Sequence, residues 1–193
     1  MFGPKNFKVI ESQGVNGLFV VLSHCWGGVD DTSPTTAQNI AERMASGLDL
    51  SGLPGNFQHS IACTRRLGYD YLWFDSLCIL QHDVLNWRHE AGRMAGYCNS
   101  AVVTLATADA MNCHIGFLHR GRKDYSPPIR GDDSKFHCFR EVLPAEHSIN
   151  VYSWISKRAW TFQERILSPG VLHFTRDQLL WHCRSNEWAK RNV

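Results

Sequence analysis

The sequence predicts an α/β fold: an open, mainly parallel sheet with flanking helices and a C-terminal β-hairpin. Three observations carry this. Short apolar runs alternate with longer segments of helical spacing in the order strand, helix, strand, helix, strand. The second run is apolar nearly throughout, as in a strand covered on both faces. Near the C-terminus, two more apolar runs flank Arg176-Asp177 and read as a hairpin.

Taken in order, Leu18-Phe19-Val20-Val21-Leu22-Ser23 is a β-branched and aromatic run, and so a buried strand. The loop Cys25-Trp26-Gly27-Gly28 follows. Ser33 before Pro34 marks a helix start, with Ala37 to Ala45 continuing it. Leu53-Pro54 opens a second helix, whose inner side is Phe57, Ile61, Cys63 and Leu67, and Gly68 stops it. Tyr71 to Asp75 is the second strand, Leu85 to Cys98 the next helix and Ala101 to Ala106 the third strand. Residues 109–150, with Pro127-Pro128, form an irregular insertion or a lid. A last helix over 156–167 precedes the hairpin runs Val171-Phe174 and Leu179-Cys183. Strands 18–23, 71–75 and 101–106 are expected to be mutually parallel and central. Residues 1–17 are an N-terminal extension, and 18–193 a single domain.

Composition narrows the function. Hydrophobic residues make up 44% and charged residues 20% of the 193, which excludes a disordered chain, a coiled coil and a collagen-like repeat. The net charge is +2, and no block of basic residues exceeds three, so a nucleic-acid partner is not expected. No apolar run approaches the ~18 residues of a membrane span. The N-terminus has no apolar signal segment, and the seven cysteines are odd in number and scattered, which predicts free thiols and a reducing, cytoplasmic setting. No metal is expected. His24-Cys25, Cys113-His114, His137-Cys138 and His182-Cys183 are adjacent pairs, and strand neighbours point to opposite faces.

Cys25 is the best nucleophile candidate, in a loop just past a strand where open α/β sheets bind ligands. Asp75 ends another strand and belongs to the same crevice. Trp87 and Glu90 are three apart on a helix, so they share a face, and a carboxylate beside an indole suits acid/base or cation-stabilising work. The plainer reading of Glu90 is a helix glutamate paired with Arg93.

Three motifs, in order, resemble the fungal heterokaryon-incompatibility (HET) domain. They are Leu22-Ser23-His24-Cys25-Trp26-Gly27; then Arg66 through Gln81 (RLGYDYLWFDSLCILQ) followed by Trp87-x-x-Glu90 and Met94; and Arg158 to Pro169 (RAWTFQERILSP). The resemblance covers about residues 18–187. Departures are His24 for a common tyrosine, His82 and Asn86 for aspartates, Tyr97-Cys98 for Ile-Tyr, and Gly170 for an arginine.

The resemblance implies a role in non-self recognition and cell death, and a distant kinship to TIR domains with their flavodoxin-like sheet. Some TIR domains cleave NAD with a helix glutamate, and Glu90 occupies a similar place. On that reading NAD is a possible substrate and no cofactor is needed. Glu90, Asp75 and Cys25 are the catalytic candidates. Ser23, His24, Trp26, Gly27, Gln81 and Trp87 are the substrate-binding ones, with Trp26 or Trp87 stacking on a flat ring. Two alternatives stand beside it: a stand-alone enzyme tailoring a secondary metabolite, and a non-catalytic module that assembles with itself or with other HET, TIR-like or signalling proteins. Glu164 between Arg158 and Arg165 reads equally as part of a structural ion-pair network or as an active centre.

Overall fold

The computed structural model describes residues 7–13, 16–27, 34–118, 129–130, 136–137, 153–155, 159–175, 178–185 and 187–191. Gly28, Ser33, Cys138, Arg158 and the Arg176-Asp177 turn lie outside them.

The central element is a six-stranded sheet. Its strands are β1 (Phe19–Ser23), β2 (Tyr71–Trp73), β3 (Val103–Ala106), β6 (Gly170–Phe174), β7 (Gln178–Cys183) and β8 (Glu187–Arg191), in the order β2-β1-β3-β6-β7-β8. The first four are parallel, and β7 and β8 add on antiparallel. Two residue pairs, β4 (Ile129–Arg130) and β5 (Phe136–His137), form a separate antiparallel ladder within the stretch expected to be irregular.

The order 2-1-3 makes the chain reverse direction between β1 and β3. Helix α2 (Gly55–Arg66) carries the β1-to-β2 crossover. Helix α4 (Val84–Ser100) leads from β2 to β3, and α5 (Ala159–Leu167) precedes β6. Register fixes the two faces, because side chains of paired residues in neighbouring strands point the same way. Val20, Leu22, Val103 and Leu105 face α2 and join Phe57, Ile61, Phe74 and Leu77 in the main apolar core. Val21, Ser23, Thr104, Ala106, Val171 and His173 face the other way. On that side Trp73 meets Tyr97 of α4 with ring centroids 5.1 Å apart, and Thr104 Oγ1 is hydrogen-bonded to Ser168 Oγ just past α5 at 2.7 Å.

Three expectations are corrected. The 71–75 strand is not central: β2 is an edge, and Tyr71 is exposed. It reads as doubly covered because Trp73 lies against Tyr97 while Phe74 fills the core. That strand also stops at Trp73, since Asp75 opens a four-residue helix, α3 (Asp75–Cys78), by accepting the Ser76 N–H. The first helix is shorter than expected. Residues 34–36 are irregular, with Thr35 N–H bonded to Ser76 O, and α1 spans only Ile40–Ala45.

The other helices sit where the sequence placed them. Pro54 precedes α2, and Asp83 caps α4 by accepting from the N–H groups of Leu85 and Asn86. Residues 109–118 are bound to α2, through Asn56 Nδ2 donating to Asn112 O and His59 Nδ1 accepting from Phe117 and Leu118 N–H. The six described cysteines are free. Among the described residues no helix is long and apolar enough to cross a membrane.

Candidate active site at the carboxyl ends of the parallel strands

In doubly wound sheets ligands bind outside the carboxyl ends of the strands, where the strand order reverses. Here that point lies between Ser23 of β1 and Ala106 of β3, which are register partners. Most of the residues singled out from the sequence gather there.

Ser23 is buried, and its Oγ donates to Glu164 Oε2 on α5. The next residue points to the opposite face, so the His24 ring lies edge-on to Phe57 at 5.2 Å and to Phe74 at 6.5 Å. Its Nδ1 is 4.0 Å from Asp75 Oδ1. Cys25 returns to the Ser23 face and is buried with Ala106, Ala108, Ile155 and Val171. Trp26 donates its indole N–H to Asp75 Oδ2 at 2.9 Å. Asp75 therefore ties the loop after β1 to the end of β2. Gly27 holds φ +90°, in the left-handed region, and a Cβ there would stand 2.5 Å from Asn112 Cβ. This glycine lets the β1 loop close against the 109–118 segment. Gln81 braces the α3–α4 loop, its Nε2 donating to the carbonyls of Asp75 at 3.2 Å and Ile79 at 3.0 Å.

Glu90 lies on α4. Its Oε2 accepts from Tyr97 Oη at 2.5 Å, and its Oε1 is 3.8 Å from both Arg93 Nη1 and His89 Nε2. Desolvation, then the hydrogen bond and charge of Glu90, push the Tyr97 hydroxyl up to about 12, so it stays protonated and donates. Trp87 is 48% exposed, away from the buried end of that face at Met94.

Cys78 links the two groups. It is solvent-exposed, yet desolvation is the first cause that pushes its thiol up to about 12, and the charges of Asp75 and Glu90 add to the shift. Both carboxylates therefore stand near enough to act on this one thiol.

Two residues not singled out as site candidates stand in the same region. Glu164 is buried and reaches Ser23, and its charge, after burial, helps push the Cys98 thiol up to about 12. His173 ends β6 and is the register partner of Ala106. Burial first, then the charges of Arg165 and His182, hold its imidazole down at about 4. Thr161, Glu164 and Ser168 fall on one helix face and all are buried, a polar face that apolar patterning in the sequence does not signal.

No curated protein and no solved structure matches the chain. A family model does: that of the heterokaryon incompatibility protein (HET), over residues 19–164, from the first residue of β1 to the glutamate of α5. That match spans well over half of the chain, which belongs to the heterokaryon incompatibility (HET) family.

Proposed function

We propose that this HET-family chain acts in fungal non-self recognition and cell death as a nucleotide glycohydrolase, cleaving the nicotinamide–ribosyl bond of NAD or a related dinucleotide. The observation that carries this reading is the pair of carboxylates, Asp75 and Glu90, which both act on the Cys78 thiol at the strand ends. Trp26 adjoins them through its bond to Asp75.

In such a reaction the C1′–N1 bond breaks and nicotinamide leaves with the bonding pair as a neutral molecule. Positive charge then develops on C1′ and the ring oxygen of the ribose. Water adds to C1′ and releases a proton. The central need is a fixed negative charge facing the developing cation. Glu90 supplies it. Its side chain is 15% exposed, enough to meet a ligand, and Tyr97 holds it in place. Asp75 fixes Trp26, whose indole offers a flat surface for stacking. The distant kinship to TIR domains that the family resemblance implies, with their helix glutamate, supports the same assignment.

A second reading, a non-catalytic assembly module, has one observation in its favour. Phe162 and Ile166, one turn apart on α5, are 69% and 57% exposed. Tailoring of a secondary metabolite has no comparable observation.

The deciding experiment is nicotinamide release from NAD by wild type and Glu90→Gln, with thermal denaturation of both. The expected result is a loss of roughly 10²-fold or more in turnover with the melting temperature kept. A structural role would instead lower the melting temperature and leave turnover intact. Wild type that releases no nicotinamide at high concentration, alone or with an assembly partner, ends the hydrolase reading.

A further inference from the structure

His173, Ala106 and Ser23 form one row across three adjacent parallel strands, all on the α5 face at the carboxyl end. At about 4.8 Å per strand, Ser23 and His173 stand roughly 10 Å apart with only a methyl group between them. Glu164 descends from α5 onto the Ser23 end of the row. At the other end, neither ring nitrogen of His173 has a hydrogen-bond partner among the described residues, although the residue is only 2% exposed. Buried polar groups are nearly always bonded, so a fully buried imidazole with two unmet nitrogens calls for an explanation.

We infer that His173, together with Glu164 and Ser23, is a hydroxyl-binding station of the strand-end crevice, taking the diol edge of a ribose. This rests on the nucleotide reading above and deepens it by naming the part of the ligand that the β1/β3 switch point holds. Two arguments select a hydroxyl. A neutral imidazole offers one donor and one acceptor, which is what a hydroxyl offers in return. The ring is neutral at pH 7, and the Glu164 carboxylate at the other end of the row accepts from a hydroxyl as it already does from Ser23.

The test uses the whole chain with ADP-ribose as probe. With histidine labelled in ¹⁵N, ADP-ribose should move the His173 ring-nitrogen signals, and inorganic phosphate should not. His173→Phe, which keeps the ring and removes both nitrogens, should weaken ADP-ribose binding by at least about tenfold, one hydrogen-bonded contact, without lowering the melting temperature at pH 7. His173→Gln, which restores a donor and an acceptor, should recover part of that loss. Ring signals unmoved by ADP-ribose, or moved equally by phosphate, overturn the inference, and the wild-type experiment decides this even if a variant fails to fold. The two readings separate cleanly. Binding of ADP-ribose that depends on His173, with no nicotinamide release, removes the hydrolase and keeps the station. Nicotinamide release with unmoved ring signals removes the station and keeps the hydrolase.

Discussion

Gly170 is where the HET pattern commonly carries an arginine, and the structure shows why this chain cannot. Gly170 opens β6 opposite Cys183, and Trp181, two residues along β7, folds its indole over the glycine. A Cβ at 170 would stand 2.6 Å from Trp181 Cζ2 and 3.2 Å from Cζ3, and closer still to Cη2. Ordinary carbon contacts need ~3.5 Å or more, so the ring would have to retreat by about 1 Å. The indole cannot do so freely, because Trp181 also packs against the main core beside Leu172 and Phe174. Overpacking of this kind costs about 1–3 kcal/mol, partly offset by the ~0.5–1 kcal/mol that alanine gains over glycine in the unfolded chain. Gly170→Ala should therefore destabilise by about 1–2 kcal/mol, and Gly170→Arg by more. At ~2–4 °C per kcal/mol for a chain of this length, the alanine variant should melt roughly 2–8 °C lower. The same substitution in a Trp181→Leu background should be neutral or stabilising, since the obstruction is gone. Denaturant titration of the four proteins of that cycle checks it. An equal cost in both backgrounds would refute the packing argument.

Two further outcomes are expected. His82 holds φ 66°, an unfavourable conformation for a β-carbon-bearing residue, and it is exposed. His82→Asn, which tolerates that region, should raise stability by about 0.5–1 kcal/mol, and a scanning calorimeter that finds no rise would show the backbone there to be unstrained. His173 is held at about 4 against an ordinary 6.5, so the unfolded chain binds its proton first as pH falls. The shift has no effect on stability above pH 6.5, and as pH falls from 6.5 to 4 it removes roughly 3 kcal/mol. His173→Phe should flatten that part of the stability–pH curve, and parallel curves for the two proteins would contradict the shift.

The parts of the fold that were legible in the sequence are those where apolar pattern and burial agree. β1 and β3 are apolar runs inside the sheet, and α2 starts after Pro54 as its residues require. β2 misled because an edge strand can be as apolar as a central one when its side chains lie on α4 and the core. β6 reads as half of a hairpin, and periodicity gives no hint that its other edge joins β3 as a fourth parallel strand. β8 is the charged segment Glu187–Arg191, with no apolar run to betray it. At the site, the loop 23–27 and Asp75 were legible from their place after strands. Glu164 was not. The rule that apolar residues turn inward would bury Phe162 and Ile166 and expose Glu164, and α5 does the reverse.

That inversion bears on what the domain is for. On the α2 side the sheet is closed by Leu22, Leu105, Phe57 and their neighbours, an apolar core of the ordinary kind. On the α5 side, at the same level, the chain buries Ser23, Glu164 and His173 instead. The carboxylate is offset by the Ser23 hydroxyl, and Thr104 by Ser168. The imidazole has no such offset among the described residues, and an unmet buried polar group costs about 1–3 kcal/mol. Val171, two residues earlier and on the same face, shows that the strand accepts an apolar residue there. A fold selected for stability alone would continue that pattern to position 173. Ser23, Glu164 and His173 share one face and one end of the sheet, beside the point where its strand order reverses. Assembly through an outer surface has no use for that placement, whereas a polar ligand bound at the strand ends would use it.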